Sequence, residues 1–347
     1  MRNDIKRFSV AVLAACGLAV SAALAEPSSP AESVDLVSAK GVDATAWVEL
    51  AAPADGAFAV KVTPPKGFSA VLLREVPERR DPNAFYTDVP GLGPKALVGV
   101  GLEDAAKGRA AKAGERVRFR LVVPVAAKAP AGLHKGRLTL SSGTVRTETD
   151  LLLRVLDFEL PPAKSRYAKK PWLSKCEGGV PSDWTPEGPD TYQKQADRVT
   201  NIAASIASCR SDLAAERWHA FGVGYYGVLD LPYVLNPDSW RRSAGVWAWQ
   251  MGFDGVVFPA GKTLDPVVRA GLEDAAIDVR YLSFCLELSD LLADRSKRAA
   301  EIVYEGRLGL FWLDRISADD DDMDVMRLEV QARIVRLLAF ARKEVAR

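Results

Sequence analysis

The sequence predicts a multidomain protein of the α+β or α/β class, with an N-terminal antiparallel β-sandwich followed by strands that alternate with long helices. Apolar and polar residues alternate at 117–123 and 137–140, as they do in half-buried strands. From Val268 to Leu286, apolar residues recur at spacings of three and four, which predicts a helix with one face against a core. The dipeptide Pro161-Pro162 separates the two patterns, because paired prolines cannot continue a sheet.

The composition is that of an ordinary globular protein, with 48% hydrophobic and 26% charged residues in a chain of 347. The formal net charge of +1 gives no indication of nucleic acid as a partner. With only two histidines, no metal site is expected, and no motif indicates a cofactor. Three cysteines follow Cys16, and buried thiols are expected, with one disulfide as the alternative. The sequence makes no prediction of the oligomeric state.

Residues 1–25 are predicted to be a signal peptide. A basic start precedes an apolar run at 8–24, which ends in the small-x-small cleavage pattern Ala23-Leu24-Ala25. The alternative is a lipoprotein anchored through Cys16, because Leu13-Ala14-Ala15-Cys16 looks like a bacterial lipobox. We therefore expect a secreted or periplasmic protein with no transmembrane segment in the mature chain.

Residues 33–160 are predicted to form the β-sandwich domain. Turn sequences such as Pro64-Pro65-Lys66-Gly67 separate its short strands, and Ser141-Ser142-Gly143-Thr144 is expected to close a hairpin. Short strands at regular spacing with turns between them are typical of an antiparallel sandwich.

Residues 165–315 are predicted to form the second domain. A helix is expected from about 190 to about 215, followed by a glycine-interleaved aromatic strand or loop at 221–228. A tryptophan-rich strand is expected at 244–250 and a further strand at 255–258.

Two long helices are predicted towards the end of the chain. Asp265 and Pro266 indicate a helix start, since Asp caps a helix and Pro fits its first turn. The C-terminal segment 322–347 is predicted to be helical over about 324–345.

Several stretches resemble a known family. Pro130 to Leu140 looks like the P-x-G-x-y-x-G strand of an N-terminal sandwich, and Val155 to Pro162 looks like the end of that domain. Residues 236–255 look like the C-terminal part of a barrel. The helix that follows such a barrel's last strand is matched by Arg269, Gly271, Glu273, Asp274, Arg280, Tyr281 and Leu282. On these residues the chain resembles bacterial proteins of the glycoside hydrolase family 123 type, which carry the domain of unknown function 4091.

The resemblance implies a (β/α) barrel that cleaves acetamido-sugar glycans with a neighbouring Asp and Glu at a mid-barrel strand end. A complete barrel needs about 250 residues, whereas only about half that many lie between 166 and 292. An incomplete barrel remnant is therefore expected. No adjacent Asp-Glu pair follows a predicted strand in this sequence.

Asp254 and Glu177 are the candidate catalytic residues. Asp254 is expected at a strand end, where barrel chemistry occurs, although Asp-Gly is also a common turn. Glu177 is expected in the loop after the first barrel strand, either lining a pocket or solvated. The pair Glu273-Asp274 is expected to be structural, because Arg269 precedes Glu273 by one helical turn.

Trp247, Trp249 and Tyr225 are the candidate substrate-binding residues. Trp247 and Trp249 are expected on one face of a strand, where aromatic rings could stack on sugars. The alternative is that these rings fill the core between strands and helices. Carbohydrate is the expected partner.

Two functions are compatible with these observations. The first is a secreted glycoside hydrolase-like protein that is catalytically impaired or inactive, since the Asp-Glu pair is not found. The alternative is a non-catalytic secreted module that binds glycans or another protein.

Overall fold

The fold is taken from a computed structural model. The residues that the structure describes are 33–79, 98–162, 172–176, 201–205, 213–220, 223–229, 237–259, 264–315 and 322–345. The predicted signal peptide, the lipobox with Cys16, and Glu177 lie outside these residues.

Nine strands form the described part of the N-terminal β unit. They are β1 Ser33–Lys40, β2 Ala44–Ala51, β3 Gly56–Thr63, β4 Val71–Arg79, β5 Val98–Asp104, β6 Arg109–Ala111, β7 Arg116–Val123, β8 Gly132–Ser142 and β9 Val145–Glu159. One sheet has the order β1-β9-β8-β3-β6 and the other the order β2-β7-β4-β5. The strands predicted at 117–123 and 137–140, and the hairpin after Leu140, are confirmed.

Alternate side chains of the two sheets share one hydrophobic core. Phe58 of one sheet and Phe119 of the other are fully buried, and their rings meet edge to face at 5.8 Å between centroids. Leu138 and Leu151 are equally buried in the same core. The apolar half of each alternating strand therefore faces inward, which removes its surface from water.

The sequence predicted a purely antiparallel unit, but one pair of its strands is parallel. β1 pairs in parallel with β9, from Ser33 opposite Asp150 to Lys40 opposite Glu159. Parallel neighbours cannot be joined by a tight hairpin. The first and last strands of the unit can satisfy this rule because the seven strands between them form the connection.

Among the described residues of the second part of the chain, four strands form a wholly parallel sheet. They are β10 Leu173–Cys176, β11 Asn201–Ser205, β12 Gly224–Val228 and β13 Gly255–Pro259. Their order in the sheet is β10-β13-β12-β11, so the first strand pairs with the last. One mixed sheet, one antiparallel sheet, this parallel sheet and long helices together make the fold α+β.

Helices cover and extend the parallel sheet. They are α1 Leu213–Ala220, α2 Pro237–Arg241, a π-helical segment Arg242–Trp247, α3 Ala248–Gln250, α4 Pro266–Ala293, α5 Ala299–Glu305, a 3-10 helix Leu308–Arg315 and α6 Asp322–Val345. None of the helices in the described part is long and apolar enough to cross a membrane.

The tryptophan-rich segment is helical, so the predicted strand at 244–250 is wrong. The π-helical segment packs against α4 so closely that a Cβ on Gly245 would lie 3.1 Å from the Cβ of Ala275. Trp240 is fully buried in the same contact region. Burial of one face of a continuous helix outweighs the strand preference of its aromatic residues.

The helix predicted over about 190–215 is wrong at 201–205, because Asn201–Ser205 is a strand, whereas the residues from Leu213 onward are helical. A short apolar run is ambiguous between a parallel strand and a helix. The strands at 224–228 and 255–259 and both long C-terminal helices are confirmed. The Asp265 carboxylate accepts a hydrogen bond from the Val267 amide at 3.0 Å and caps α4 as predicted.

Candidate functional site

The carboxyl ends of the four parallel strands meet at one edge of the sheet. β10 ends at Cys176, β11 at Ser205, β12 at Val228 and β13 at Pro259. In barrels and open parallel sheets, ligands bind at this edge. Glu177 directly follows β10 in the sequence, but its position lies outside the described residues. Its catalytic role stays a prediction.

The two faces of the parallel sheet carry different buried clusters. Tyr225 and Phe258 face the helices, in one core with Trp240. Tyr226, Val228 and Val257 form a separate buried cluster on the other face. In a closed barrel, the face away from the helices lines the interior.

Ser174 adds a polar group beside this second cluster. It pairs in register with Val257, and its Oγ is buried without a hydrogen-bond partner among the described residues. Buried hydroxyls normally have a partner. Tyr226 and Ser174 are therefore polar residues on this face, among the side chains that the structure describes.

Asp254 lies at the amino end of β13, not at the carboxyl edge. It directly follows Phe253 and precedes Gly255, the first residue of the strand. Its Oδ2 accepts a hydrogen bond from the Tyr225 amide at 2.7 Å and lies 2.9 Å from Nε2 of His219. The geometric reason for its predicted catalytic role, a place on the reactive rim, is therefore wrong, because the tryptophan-rich segment before it is a helix.

Trp247 and Trp249 do not share one face, whereas Trp247 and Tyr225 pack in the same core. Tyr225 is 4% exposed, and its ring stacks on Phe253 at 4.6 Å between centroids. Trp247 packs against the core around Trp240, whereas Trp249 packs against a different core and donates from Nε1 to Ser283 Oγ at 3.1 Å. Each ring contributes to packing, and sugar stacking on them stays a prediction.

A buried ionic network joins the β unit to the long helices. Arg120 of β7 donates from Nη1 to Oδ2 of Asp274 on α4 at 2.8 Å, and Thr45 Oγ1 donates to Oδ1 of the same carboxylate at 2.6 Å. Burial alone would raise the pKa of Asp274, but the guanidinium groups of Arg120, Arg327 and Arg241 hold it below its usual value. Asp274 is therefore ionised and structural.

Asp278 is the second anionic centre of this network. It lies one helical turn after Asp274 and accepts from Nε of Arg241 at 2.6 Å and from Nε of Arg327 at 2.5 Å. Arg241 also contacts Asp324 on α6. Although burial opposes its charge, these carboxylates raise the pKa of Arg241 well above its ordinary value. One buried network thus binds α2, α4 and α6 together.

Residues just after this network bind the β unit through its backbone. Arg280 donates to the carbonyls of Pro161, Leu160 and Gly41. The Tyr281 hydroxyl accepts from the amide of Ala39 at 2.8 Å. Arg280 and Tyr281 therefore attach α4 to the β unit.

The predicted structural role of Glu273-Asp274 agrees with these contacts, but its main partner was missed. Arg269 acts on Glu273 through its charge, whereas the hydrogen-bonded cation is Arg120, more than 150 residues away in sequence. The sequence carried no signal for this pair, because the alternation of β7 places Arg120 on the polar side of the strand, opposite to Phe119 and Leu121. Across the described residues, no group of three or more His, Cys, Asp or Glu side chains is arranged to hold a metal ion.

Comparison with known proteins supports a glycosidase-like fold. No family model matches the sequence, and a search of curated proteins gives no match. Among solved structures, a family 123 glycoside hydrolase from Clostridium perfringens is similar with a TM-score of 0.52 and 8% identity, over 91% of this chain and 95% of that chain. This likeness concerns the fold alone.

Other carbohydrate-processing enzymes give weaker similarity. A candidate α-galactosidase from Bacteroides fragilis matches with a TM-score of 0.19 and 10% identity, over 73% of this chain and 48% of that chain. A calcium-binding mutant of Bacteroides uniformis β-glucuronidase 2 matches with a TM-score of 0.18 and 13% identity, over 78% and 31% of the two chains. These scores are too low to support an argument about the fold.

Proposed function

We propose that the chain is an exported, glycan-binding protein of the glycoside hydrolase family 123 type that does not hydrolyse its glycan. In this proposal the β unit is the sandwich of that family, and the parallel sheet is a remnant of its (β/α) barrel. The ligand is a glycan that contains acetamido sugars.

The strand order β10-β13-β12-β11 is the observation that supports the remnant most directly. In a (β/α)₈ barrel, consecutive strands are neighbours and the first strand closes against the last. Here β10 does pair with β13, and β13 with β12, as the first and last strands of a barrel would. However, β10 and β11 are consecutive in the described chain and stand at opposite edges of the sheet. In a complete barrel, the central strands would lie between β10 and β11 and close the sheet.

The proposed loss of hydrolysis follows from the same gap in the sheet, between β10 and β11. Substrate-assisted hydrolysis uses two carboxyl groups, one to orient the acetamido group and one to protonate the leaving oxygen. In the resembled family this pair belongs to a central strand. Asp254 is at the amino end of its strand and is already bonded to Tyr225 and His219. Glu273 and Asp274 are engaged by Arg120.

The test is a hydrolysis assay together with a binding assay on the purified full chain. We expect no release of chromophore from a 4-nitrophenyl N-acetylgalactosaminide above the uncatalysed rate, with an active family 123 enzyme as positive control. We expect binding to at least one acetamido-sugar glycan on an array. Turnover would overturn the loss of hydrolysis, and an empty array would overturn the glycan-binding function.

A further inference from the structure

A cleft opens at one end of the N-terminal β unit, where three connections between strands meet. The β1–β2 turn, the β3–β4 loop and the β7–β8 loop line a cavity of about 670 Å³. Volumes of a few hundred to a thousand Å³ are typical of small-molecule sites. The side chains in its wall include Asp43, Phe68, Ser69 and Lys128.

The wall of the cleft is held in place by hydrogen bonds from outside it. The amide of Gly41 donates to the carbonyl of Val125 at 3.0 Å, which ties two of the three loops together. Arg280 of α4 donates from Nη2 to the carbonyl of Gly41 at 3.2 Å. The amide of Phe68 donates to the carbonyl of Pro65 at 3.0 Å and closes a turn in the third loop. The cleft is therefore formed before any ligand binds.

Phe68 gives the cleft an aromatic surface. Its side chain is half-buried, and its ring lies 4.8 Å from the His134 ring, between centroids. Packing on His134 and on the core fixes the orientation of the ring. A fixed aromatic ring offers an apolar contact surface to the C–H face of a sugar at a small entropic cost.

Asp43 and Lys128 supply the polar groups. Both side chains are exposed in the lining of the cavity, and Asp43 also interacts through its charge with Arg280. A carboxylate accepts hydrogen bonds from sugar hydroxyls, and an ammonium group donates to hydroxyl or acetamido oxygens. Hydrogen bonds to such charged groups are stronger than neutral ones.

The balance of charge selects the class of ligand. One acidic and one basic side chain face the same cavity, so its lining has no net charge. A phosphorylated or polyanionic ligand would gain from Lys128 but would be repelled by Asp43. An uncharged ligand with both donors and acceptors, next to an apolar face, fits all three side chains.

We propose that this cleft binds the end of a neutral glycan, with Phe68 against a sugar ring and with Asp43 and Lys128 bonded to its hydroxyl and acetamido groups. The inference rests on the proposed function, because it names the site at which the glycan binds. It places that site on the β unit, because all the residues that line the cleft belong to this unit.

The test is saturation-transfer difference NMR on the full chain, with methyl N-acetyl-β-galactosaminide and methyl β-galactoside as probes. We expect Asp43→Asn and Lys128→Gln each to weaken binding by about tenfold. Phe68→Ala is expected to abolish it. Lys112→Gln is the matched control, since Lys112 is an exposed lysine in the turn at the other end of β7. Circular dichroism confirms that each variant is folded.

The possible results separate the two proposals. Loss of signal in the cleft variants, with full signal in Lys112→Gln, supports the site. Equal signal in all folded variants overturns the cleft but leaves glycan binding in place. Absence of binding by the unaltered chain to both sugars and to a glycan array overturns both proposals. Binding of glycine or a dipeptide that depends on Asp43, without binding of either sugar, overturns the ligand class.

Discussion

Oδ2 of Asp274 on α4 lies 2.8 Å from Nη1 of Arg120 on β7, and the two side chains are only 2% and 4% exposed. This pair connects the β unit with α4, the longest of the described helices. Removing one partner leaves the other charge buried without compensation, which is the costly way to disrupt a buried ion pair. The connection is therefore expected to control the stability of the whole fold.

Asp274→Asn is expected to lower the free energy of unfolding by about 3–5 kcal/mol at pH 7, because Arg120 loses its buried counter-charge. Urea denaturation followed by tryptophan fluorescence measures this change. Glu273→Gln is the control, since its side chain is 54% exposed and its bond to Arg120 is longer, at 3.3 Å. It should cost no more than about 1 kcal/mol. Equal losses in the two variants would contradict a dominant role for Asp274.

The same carboxylate predicts how stability depends on pH. The pKa of Asp274 is lowered in the folded chain, so its contribution is present above the unfolded value of about 3.9 and is lost as the pH falls below that value. We expect the gap in unfolding free energy between the unaltered chain and Asp274→Asn to shrink as the pH falls from 5 to 3. Denaturation curves across this range measure the gap, and a constant gap would contradict the lowered pKa.

Sequence patterns predicted those elements whose formation depends on neighbours along the chain. The cap of Asp265, the apolar stripe of α4 and the alternation of β7 are local features, and each element was found where expected. The hairpin at Ser142 and Val145 follows from its turn sequence in the same way. These features are encoded within about ten residues.

The missed elements depend on distant contacts. Trp240, Ala244 and Trp247 recur at helical spacing, but the strand preference of aromatic residues led to the prediction of a strand. Packing against α4 stabilises the helix instead. The strand at 201–205 exists because β12 lies beside it, from Asn201 opposite Gly224 to Ser205 opposite Val228. Arg120 and Asp274 come into contact only in the tertiary fold. For the same reason Asp254 and Tyr225 were predicted to be site residues. In the fold, the Asp254 carboxylate bonds to the Tyr225 amide and the Tyr225 ring stacks on Phe253.

Asp254→Asn is expected to destabilise the protein without removing glycan binding. The carboxylate contact with His219 and the charge-assisted bond from the Tyr225 amide are lost or weakened, at a cost of about 1–3 kcal/mol. Thermal unfolding measures the loss of stability. Titration of the folded variant with a glycan that the unaltered chain binds measures its affinity. An unchanged melting temperature with abolished binding would instead support a role for Asp254 in the site.

Cys285 is expected to be unreactive in the folded protein. Burial is the main cause that raises the pKa of its thiol to about 12, and the thiol is free. Labelling by iodoacetamide at pH 8, followed by peptide mass mapping, should be at least about a hundredfold slower than in urea, because the thiolate is the reactive form. Rapid labelling without urea would show that α4 opens at this position.

Saturation-transfer difference NMR with an oligosaccharide that ends in N-acetylgalactosamine tests the central claim most directly, because one sample reports binding and cleavage together. A glycan-binding protein that has lost hydrolysis predicts transfer to the terminal sugar and unchanged anomeric signals after a day of incubation. New reducing-end signals would show retained hydrolysis. Absence of transfer to any sugar would contradict glycan binding itself.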